Sequence, residues 1–527
     1  MRSRALFAGV VLSCAVVSGG WLVERGLLGG VPDSGSRSVL FNQVLAHVAH
    51  DYVDTLADSA LYLDAVNGLV DELHDPHSEY LSPKLLSRLS ESTSGRYAGV
   101  GAQIDVRDGA IIVAPLPGGP AAAAGIEVGD RITAIDGKST RTFGPSEAQK
   151  ALRGPPNSVV RLTVERTGVE APMKFAVTRR EIHVHSVQHA TMLRDGIGFV
   201  ALTIFSDESA SELQQAIDSL RAAGMHSLIL DLRGDPGGLL DEGVGVADLF
   251  LDRGQRIVSM RGRTPDATRV YADDAPQRWP SMPLALLVDS STASAAEIVS
   301  GALQDHDRAV LLGTVTYGKG SAQNVFAMPN GGALKLTTAL WYTPSGRSIN
   351  RIMPGDTTPP DTGAARPRYR TDDGRVVLGG GGITPDVLLP AVSVPTSDTA
   401  FARALGSHIP AFRDAVTEYA LSLKGSPIVR SPDFVITPEM RAALARRLAA
   451  RGVAVDSATY AAAAPLIDRL LGSEIARYSF GAEAEFRRQM RDDPAIASAQ
   501  ALMAGATTQA DLLKRAAASP HAAKPKR

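Results

Sequence analysis

Ser294 and Lys319 stand twenty-five positions apart in the segments STASAAEIV and TYGKGSAQ, and they hold the most readable chemistry in this chain. The serine follows an apolar run from Leu284 to Val288 and opens an apolar-periodic stretch from Ala295 to Leu303. That pattern predicts a buried strand, a turn and a helix, with the hydroxyl at a helix N-terminus where unpaired N–H groups can hold developing negative charge. The lysine lies between Gly318 and Gly320, so its turn can come close to another backbone segment. A hydroxyl and an enclosed amine make a nucleophile and its base, the pairing that amide hydrolysis by a serine–lysine site requires.

Positioning such a pair calls for a layered scaffold, and the flanking sequence supplies one. Between 196 and 395 strands and helices alternate: Ile197–Ile204, a helix Ala210–Ala223, Ser227–Leu232 ending in RGDPGG, a helix Val244–Leu251, then Leu284–Val288 and Ser294–Leu303. This alternation predicts α/β layers with partly parallel strands. Residues 354–382 read as a long surface loop. From 396 the chain is alanine-rich and helical, with Thr437-Pro438-Glu439 as a helix start and Gly452 as a stop. Before the core, residues 39–92 predict two or three amphipathic helices around the turn HDPHSEYLSP, and residues 93–182 change to short strands with frequent glycine.

At 527 residues the chain is long enough for about three or four domains. A net charge of −2 gives no reason to expect a nucleic-acid partner. The single cysteine, Cys14, excludes disulfides and thiolate metal sites from the folded part. Arg2 and Arg4 precede an uncharged run from Ala5 to Val23, which is about long enough to span a bilayer. Charge on that side predicts a single-pass signal-anchor in residues 1–30 of an inner (cytoplasmic) membrane, with the remainder in the periplasm or another extracytoplasmic space. An uncleaved anchor is favoured over a removed signal peptide, over a lipoprotein through Cys14 and over a buried first helix.

The segments DPHSEYL, LILDLRGDPGGLL, STASAAEIVSGALQDHDRAVLLG and TYGKGSAQ, together with RYAGVGAQIDV and GGPAAAAGIEVGDRITAIDGKST, occur in an order that resembles the C-terminal processing peptidases, or tail-specific proteases. The resemblance covers roughly residues 39–395. It implies a multidomain α/β protein, with a helical region at 39–92, a PDZ domain inserted at 93–182 and a serine–lysine protease core at 183–395; beyond the resemblance, the composition itself reads as a helical region at 396–515 and a disordered basic tail at 516–527. The resemblance also implies Ser294 as nucleophile, Lys319 as base and Gln323 as the residue that orients the lysine. A neutral glutamine can hydrogen-bond a neutral amine without restoring its proton, whereas a carboxylate would. The oxyanion needs two aimed backbone donors. Ala295 N–H is one candidate, and Gly237, slightly ahead of Gly238, is the other. In the PDZ-like part, Gly99, Val100, Gly101 and Ala102 match the loop whose N–H groups receive a peptide's C-terminal carboxylate. The implied partners are unstructured, mostly apolar protein tails with free C-termini. There is room as well for an adaptor protein and for homo-oligomers built through the terminal helices. The order of the segments places the PDZ domain to gate the site. Two departures are noted, Ala296 where the family often has serine and Tyr317 where it has phenylalanine; neither removes a catalytic group.

Other readings compete for the same residues. Gly313 to Lys319 fits the opening of a phosphate-binding loop, but Gly320 stands where the magnesium-ligating hydroxyl belongs. Ser291 is the strongest rival nucleophile among Ser290, Ser291, Thr292 and Ser300. Asp305 and Arg308 are expected to brace the serine's helix, and Glu297, one turn past the nucleophile, is open between structure and function. His74 and His77 read as turn residues near Asp75. His183, His185 and His189 form H-x-H-x-x-x-H with no evident carboxylate partner, so no metal and no cofactor is expected. From a different class, a non-catalytic membrane-tethered PDZ adaptor would need Ser294 to be an ordinary helix cap and Lys319 a solvated turn residue.

Overall fold

The computed structural model describes residues 34–107, 110–166, 169–351, 366–390 and 394–523. The expected membrane anchor at 1–30, with Cys14, lies outside the described residues. Among those described, no helix is long and apolar enough to cross a membrane. The chain divides into two compact units, Met1–Tyr80 and Leu81–Arg527.

In the first unit, helices Ser34–Asp51 and Asp58–Asp71 lead to a turn organised by Asp75, which accepts from Ser78 Oγ at 2.5 Å and from the N–H of His77 at 3.0 Å. His74 and His77 join no group able to hold a metal among the described residues. The two helices leave Val39, Leu40, Phe41, Val44, Tyr62 and Leu69 exposed.

The second unit is built on a six-stranded sheet in the spatial order Val187–Met192, Ile197–Leu202, Ser227–Asp231, Leu284–Val288, Val310–Gly313 and Val387–Leu388. The first pair is antiparallel and the remainder are parallel. Successive strand residues point to opposite faces, and here both faces are buried. Val200, Leu202, Leu228, Leu230, Leu284 and Leu286 face one core, filled by helices Ser209–Ala222, Leu240–Asp248 and Ala295–Asp305. Phe199, Ile229, Ala285, Leu287, Val310 and Leu312 face the other, covered by Met490 and by helices Pro494–Met503 and Gln509–Ala518. A second, antiparallel sheet runs through Ser321–Ala327, Ala333–Tyr342, Arg256–Gly262 and Arg269–Ala272.

A small antiparallel β-domain is inserted ahead of this core. Its strands follow the order Ala102–Arg107, Ala110–Pro115, Arg131–Ile135, Val159–Glu165 and Met173–Thr178, with a helix at Pro145–Leu152. The chain enters and leaves it along one two-stranded ladder, Arg96–Gly99 against Arg180–His183. Helices from Thr396 to Phe480 form a separate core, which takes in Ile112 and Val128 of the β-domain.

Two segments differ from expectation. The polar stretch read as a loop over 354–382 contains a hairpin, Arg368–Arg370 with Val376–Leu378. Arg375 ties it to Asp307 and Asp386, at 2.5 Å each, so its charge serves local ion pairs as well as solvation. The segment read as a disordered tail from 516 remains helical to Ala518, and Ala522 bridges to Val387 at the edge of the main sheet. Alanine-rich polar text hides such pairing because it is made by main-chain groups.

Candidate active site

Ser294 occupies a sharp turn between the buried strand Leu284–Val288 and the helix it caps, at φ 55° and ψ −116°. A side chain in that region of backbone space costs of order 1–3 kcal/mol and persists only where the surroundings enforce it. Here the enforcement is visible. Asp235 O accepts from Ala293 N–H at 2.9 Å, and Glu297 Oε2 accepts from Ser294 N–H at 3.0 Å. Neighbouring hydroxyls are otherwise engaged. Thr292 Oγ1 donates to Leu232 O at 2.8 Å, and Ser300 Oγ donates to Ala296 O at 2.7 Å. Ser291 lies on the exposed side of the Asp289 turn, its N–H 2.9 Å from Asp289 Oδ1.

Glu297 draws the lysine to this turn. Its side chain is fully buried, and it accepts four hydrogen bonds. Oε1 takes Thr316 Oγ1 at 2.5 Å and Gly318 N–H at 2.7 Å; Oε2 takes Lys319 N–H at 2.9 Å and Ser294 N–H at 3.0 Å. Burial raises its pKa above the carboxylate range, while the hydrogen bonds pull in the opposite direction. Its role was open in the sequence; the structure makes it the clamp between the serine turn and the lysine loop. The same bonds exclude the phosphate-loop reading. The N–H groups of Gly318 and Lys319 are taken by a carboxylate, and a strand, Ser321–Ala327, follows where a helix would be needed.

The lysine loop is fixed from its other side too. Trp341 Nε1 donates to Lys319 O at 3.1 Å, and Gly320 N–H donates to Asn350 Oδ1 at 3.1 Å. Gly318 adopts φ 92°, and a Cβ there would fall 2.9 Å from Arg351 Cβ and 3.0 Å from Gly382 N, so glycine is required. Gln323 lies on the following strand, its Nε2 donating to Ser321 Oγ at 2.9 Å and Thr337 Oγ1 at 3.1 Å.

The RGDPGG turn closes the site. A Cβ on Gly237 would sit 2.8 Å from both Ala295 N and Ser294 Cβ, so this backbone lies directly against Ser294. Gly237 N–H, however, donates to Asp235 Oδ1 at 2.7 Å. Gly238 is held beside Phe205, whose N–H donates to Gly237 O at 3.1 Å and whose carbonyl accepts from Leu239 N–H at 2.9 Å; neither bond uses Gly238 N–H. The slight preference for Gly237 in the sequence therefore meets an N–H already engaged by a side chain two residues upstream. Asp235 is fully buried with Oδ2 unpartnered, and burial pushes its pKa up to about 8. Arg233, in the same turn, pairs with Asp231 and reaches Asp493 Oδ2 at 2.9 Å. The expected bracing residues are also placed. Arg347 lies 2.7 Å from Asp305 Oδ1, both buried, and Arg308 donates to Gln277 Oε1 at 3.0 Å and to Trp279 O at 2.9 Å.

In the small β-domain, Gly99, Val100, Gly101 and Ala102 line a groove of about 440 Å³ with Tyr97, Gln149 and Arg153. Arg477, from helix Ala464–Phe480, also lines it. The sequence carried no sign of that arginine, which arrives from more than three hundred residues away.

These elements define a PDZ-bearing serine peptidase. The sequence signature of peptidase family S41 matches residues 196–361, and that of the PDZ domain matches residues 111–166. A carboxy-terminal-processing protease of Bartonella bacilliformis is 38% identical over 317 residues, which cover 59% of this chain and 72% of that protein. The carboxy-terminal processing protease CtpA of Bacillus subtilis is 33% identical over 356 residues, covering 66% and 76%. Among solved structures, a photosystem II D1 C-terminal processing protease is 28% identical, with 70% of this chain and 97% of that one covered and a TM-score of 0.38. The chain belongs to the carboxy-terminal-processing protease family of S41 serine peptidases. That membership sets aside the non-catalytic adaptor.

Proposed function

We propose that this peptidase works through Ser294 and Lys319 on protein chains captured by their C-terminal tails. The observation that carries the reading is the shared carboxylate of Glu297, which binds the backbone of both residues. Lys319, as the neutral amine, takes the Ser294 hydroxyl proton while Oγ attacks the scissile carbonyl. The tetrahedral oxyanion is received by Ala295 N–H and Gly238 N–H. The lysine then gives the proton to the departing amine, leaving an acyl-enzyme. A water molecule, deprotonated by the same amine, attacks the ester and regenerates Ser294. Gln323 orients the amine through its side-chain amide.

Substrate tails add as a strand beside Gly99–Ala102, with the free carboxylate against the loop's N–H groups and the Arg477 guanidinium close by. The entry and exit of the chain along one short ladder support a gating movement of the PDZ domain. The exposed apolar side chains on the two N-terminal helices support self-assembly through that segment. The arginines before the uncharged run at 5–23 support membrane insertion, with the peptidase on the extracytoplasmic side.

The test is digestion of an unfolded protein with an apolar C-terminus by the 527-residue chain and by Ser294→Ala and Lys319→Ala. Cleavage by the parent alone is expected. Equal cleavage by all three would place the site elsewhere.

A further inference from the structure

H-x-H at 183 and 185 lacks a carboxylate in the sequence, and the fold supplies one. His183 ends the strand by which the chain leaves the PDZ domain, and His185 follows it. Both meet Glu212, in the first turn of helix Ser209–Ala222 of the peptidase core. His183 Nε2 lies 2.5 Å from Glu212 Oε1, and His185 Nδ1 lies 2.9 Å from the same oxygen. The other carboxylate oxygen is fixed by Val187 N–H at 3.1 Å. His189, third in the motif, is elsewhere: it stacks on Phe486 with ring centres 3.5 Å apart.

We propose that His183, His185 and Glu212 bind a divalent transition metal ion of the zinc type, cross-linking the exit strand of the PDZ domain to the peptidase core. Two imidazoles and a carboxylate are a ligand set suited to such ions. Their three ligand atoms lie within 4.8 Å of one another. Ligands about 2 Å from a tetrahedral ion stand about 3.3 Å apart, so rotation of side chains by under about 1 Å admits the ion in place of the protons now shared. His183 and Glu212 are largely enclosed, whereas His185 is 69% exposed, which leaves an approach from solvent. A fourth position falls to water or to Glu208, whose Oε2 is 3.7 Å from His183 Nε2 while its other oxygen pairs with Arg96. Arg96 and Glu181, 3.0 Å apart, also stand at this corner.

The location gives the ion a consequence. Arg96 and His183 are register partners in the ladder formed by the two strands through which the chain enters and leaves the PDZ domain. An ion here fastens the joint about which that domain would swing. Control of cleavage by this means rests on the proposed function above, but binding of the ion does not.

Zinc titration of the 527-residue chain by calorimetry, followed by the visible spectrum of the cobalt-loaded form, tests the site. One saturable ion per chain, with the intense bands of four- or five-coordinate cobalt, is expected. Glu212→Gln and His185→Ala should each weaken binding at least about tenfold. His185→Ala removes an exposed ring and leaves the fold intact, so it guards against a trivial loss. Ser294→Ala should bind as the parent does, which separates failure of this site from failure of the peptidase assignment. No saturable ion, or unchanged affinity in both Glu212→Gln and His185→Ala, would overturn the proposal.

Discussion

Ser294 and Lys319 donate their backbone N–H groups to a single oxygen, Glu297 Oε2, at 3.0 and 2.9 Å. The two residues thus share one rigid acceptor, although they come from different segments. Alignment at this level carries much of the rate in any two-group mechanism, where a misplacement of 1 Å can cost about a hundredfold.

Glu297→Gln tests that alignment. An amide keeps the volume but turns one acceptor into a donor facing N–H groups, so part of the clamp becomes repulsive. We expect kcat/KM to fall by about a hundredfold or more, mostly through kcat, while PDZ peptide binding is retained. A steady-state comparison of the two proteins on one peptide settles it. Loss confined to KM would show that the clamp does not govern the chemistry.

Asp235 gives a prediction in pH. Its carboxyl is buried beside the Ser294 turn, where burial pushes its pKa up to about 8 from an ordinary value of 3.8. The folded protein therefore holds this proton more tightly than the unfolded chain. The stability so contributed is fully present below about pH 4 and is lost as pH rises toward 8. Asp235→Asn removes the titration, so its melting temperature should gain on the parent's between pH 5 and pH 8. Parallel thermal melts at those two pH values give the answer, and a constant difference would contradict it.

Arg477 should discriminate tails by their charge. Arg477→Ala is expected to weaken binding of a peptide with a free C-terminal carboxylate several-fold and to leave the C-terminally amidated peptide almost unaffected. Fluorescence anisotropy with the two peptides separates this from general damage to the groove, which would weaken both equally.

Much of this arrangement could be read in the sequence, and the exceptions share a cause. The alternation from Ile197 to Leu312 announces a buried parallel sheet because each strand is apolar on both faces. Ser294 and Lys319 stand out because strand, turn and helix signals are local. Glu297 was ambiguous because two of its four donors belong to Gly318 and Lys319, and no periodicity relates them. The engagement of Gly237 N–H was hidden because it comes from a side chain folding back within its own loop. Glu212 was invisible as a partner for His183, since a strand end and a helix start meet only once the β-domain closes on the core.

The last helices bear on how the enzyme comes into being. Phe199, Ile229, Leu287 and Leu312 are covered by Met490, Ile496, Met503 and Leu512, and Arg233 in the RGDPGG turn is tied to Asp493. During synthesis the strands, the serine and the lysine all emerge while one whole face of their sheet is still bare. That face of the sheet is therefore sealed only once residues near 512 have been made.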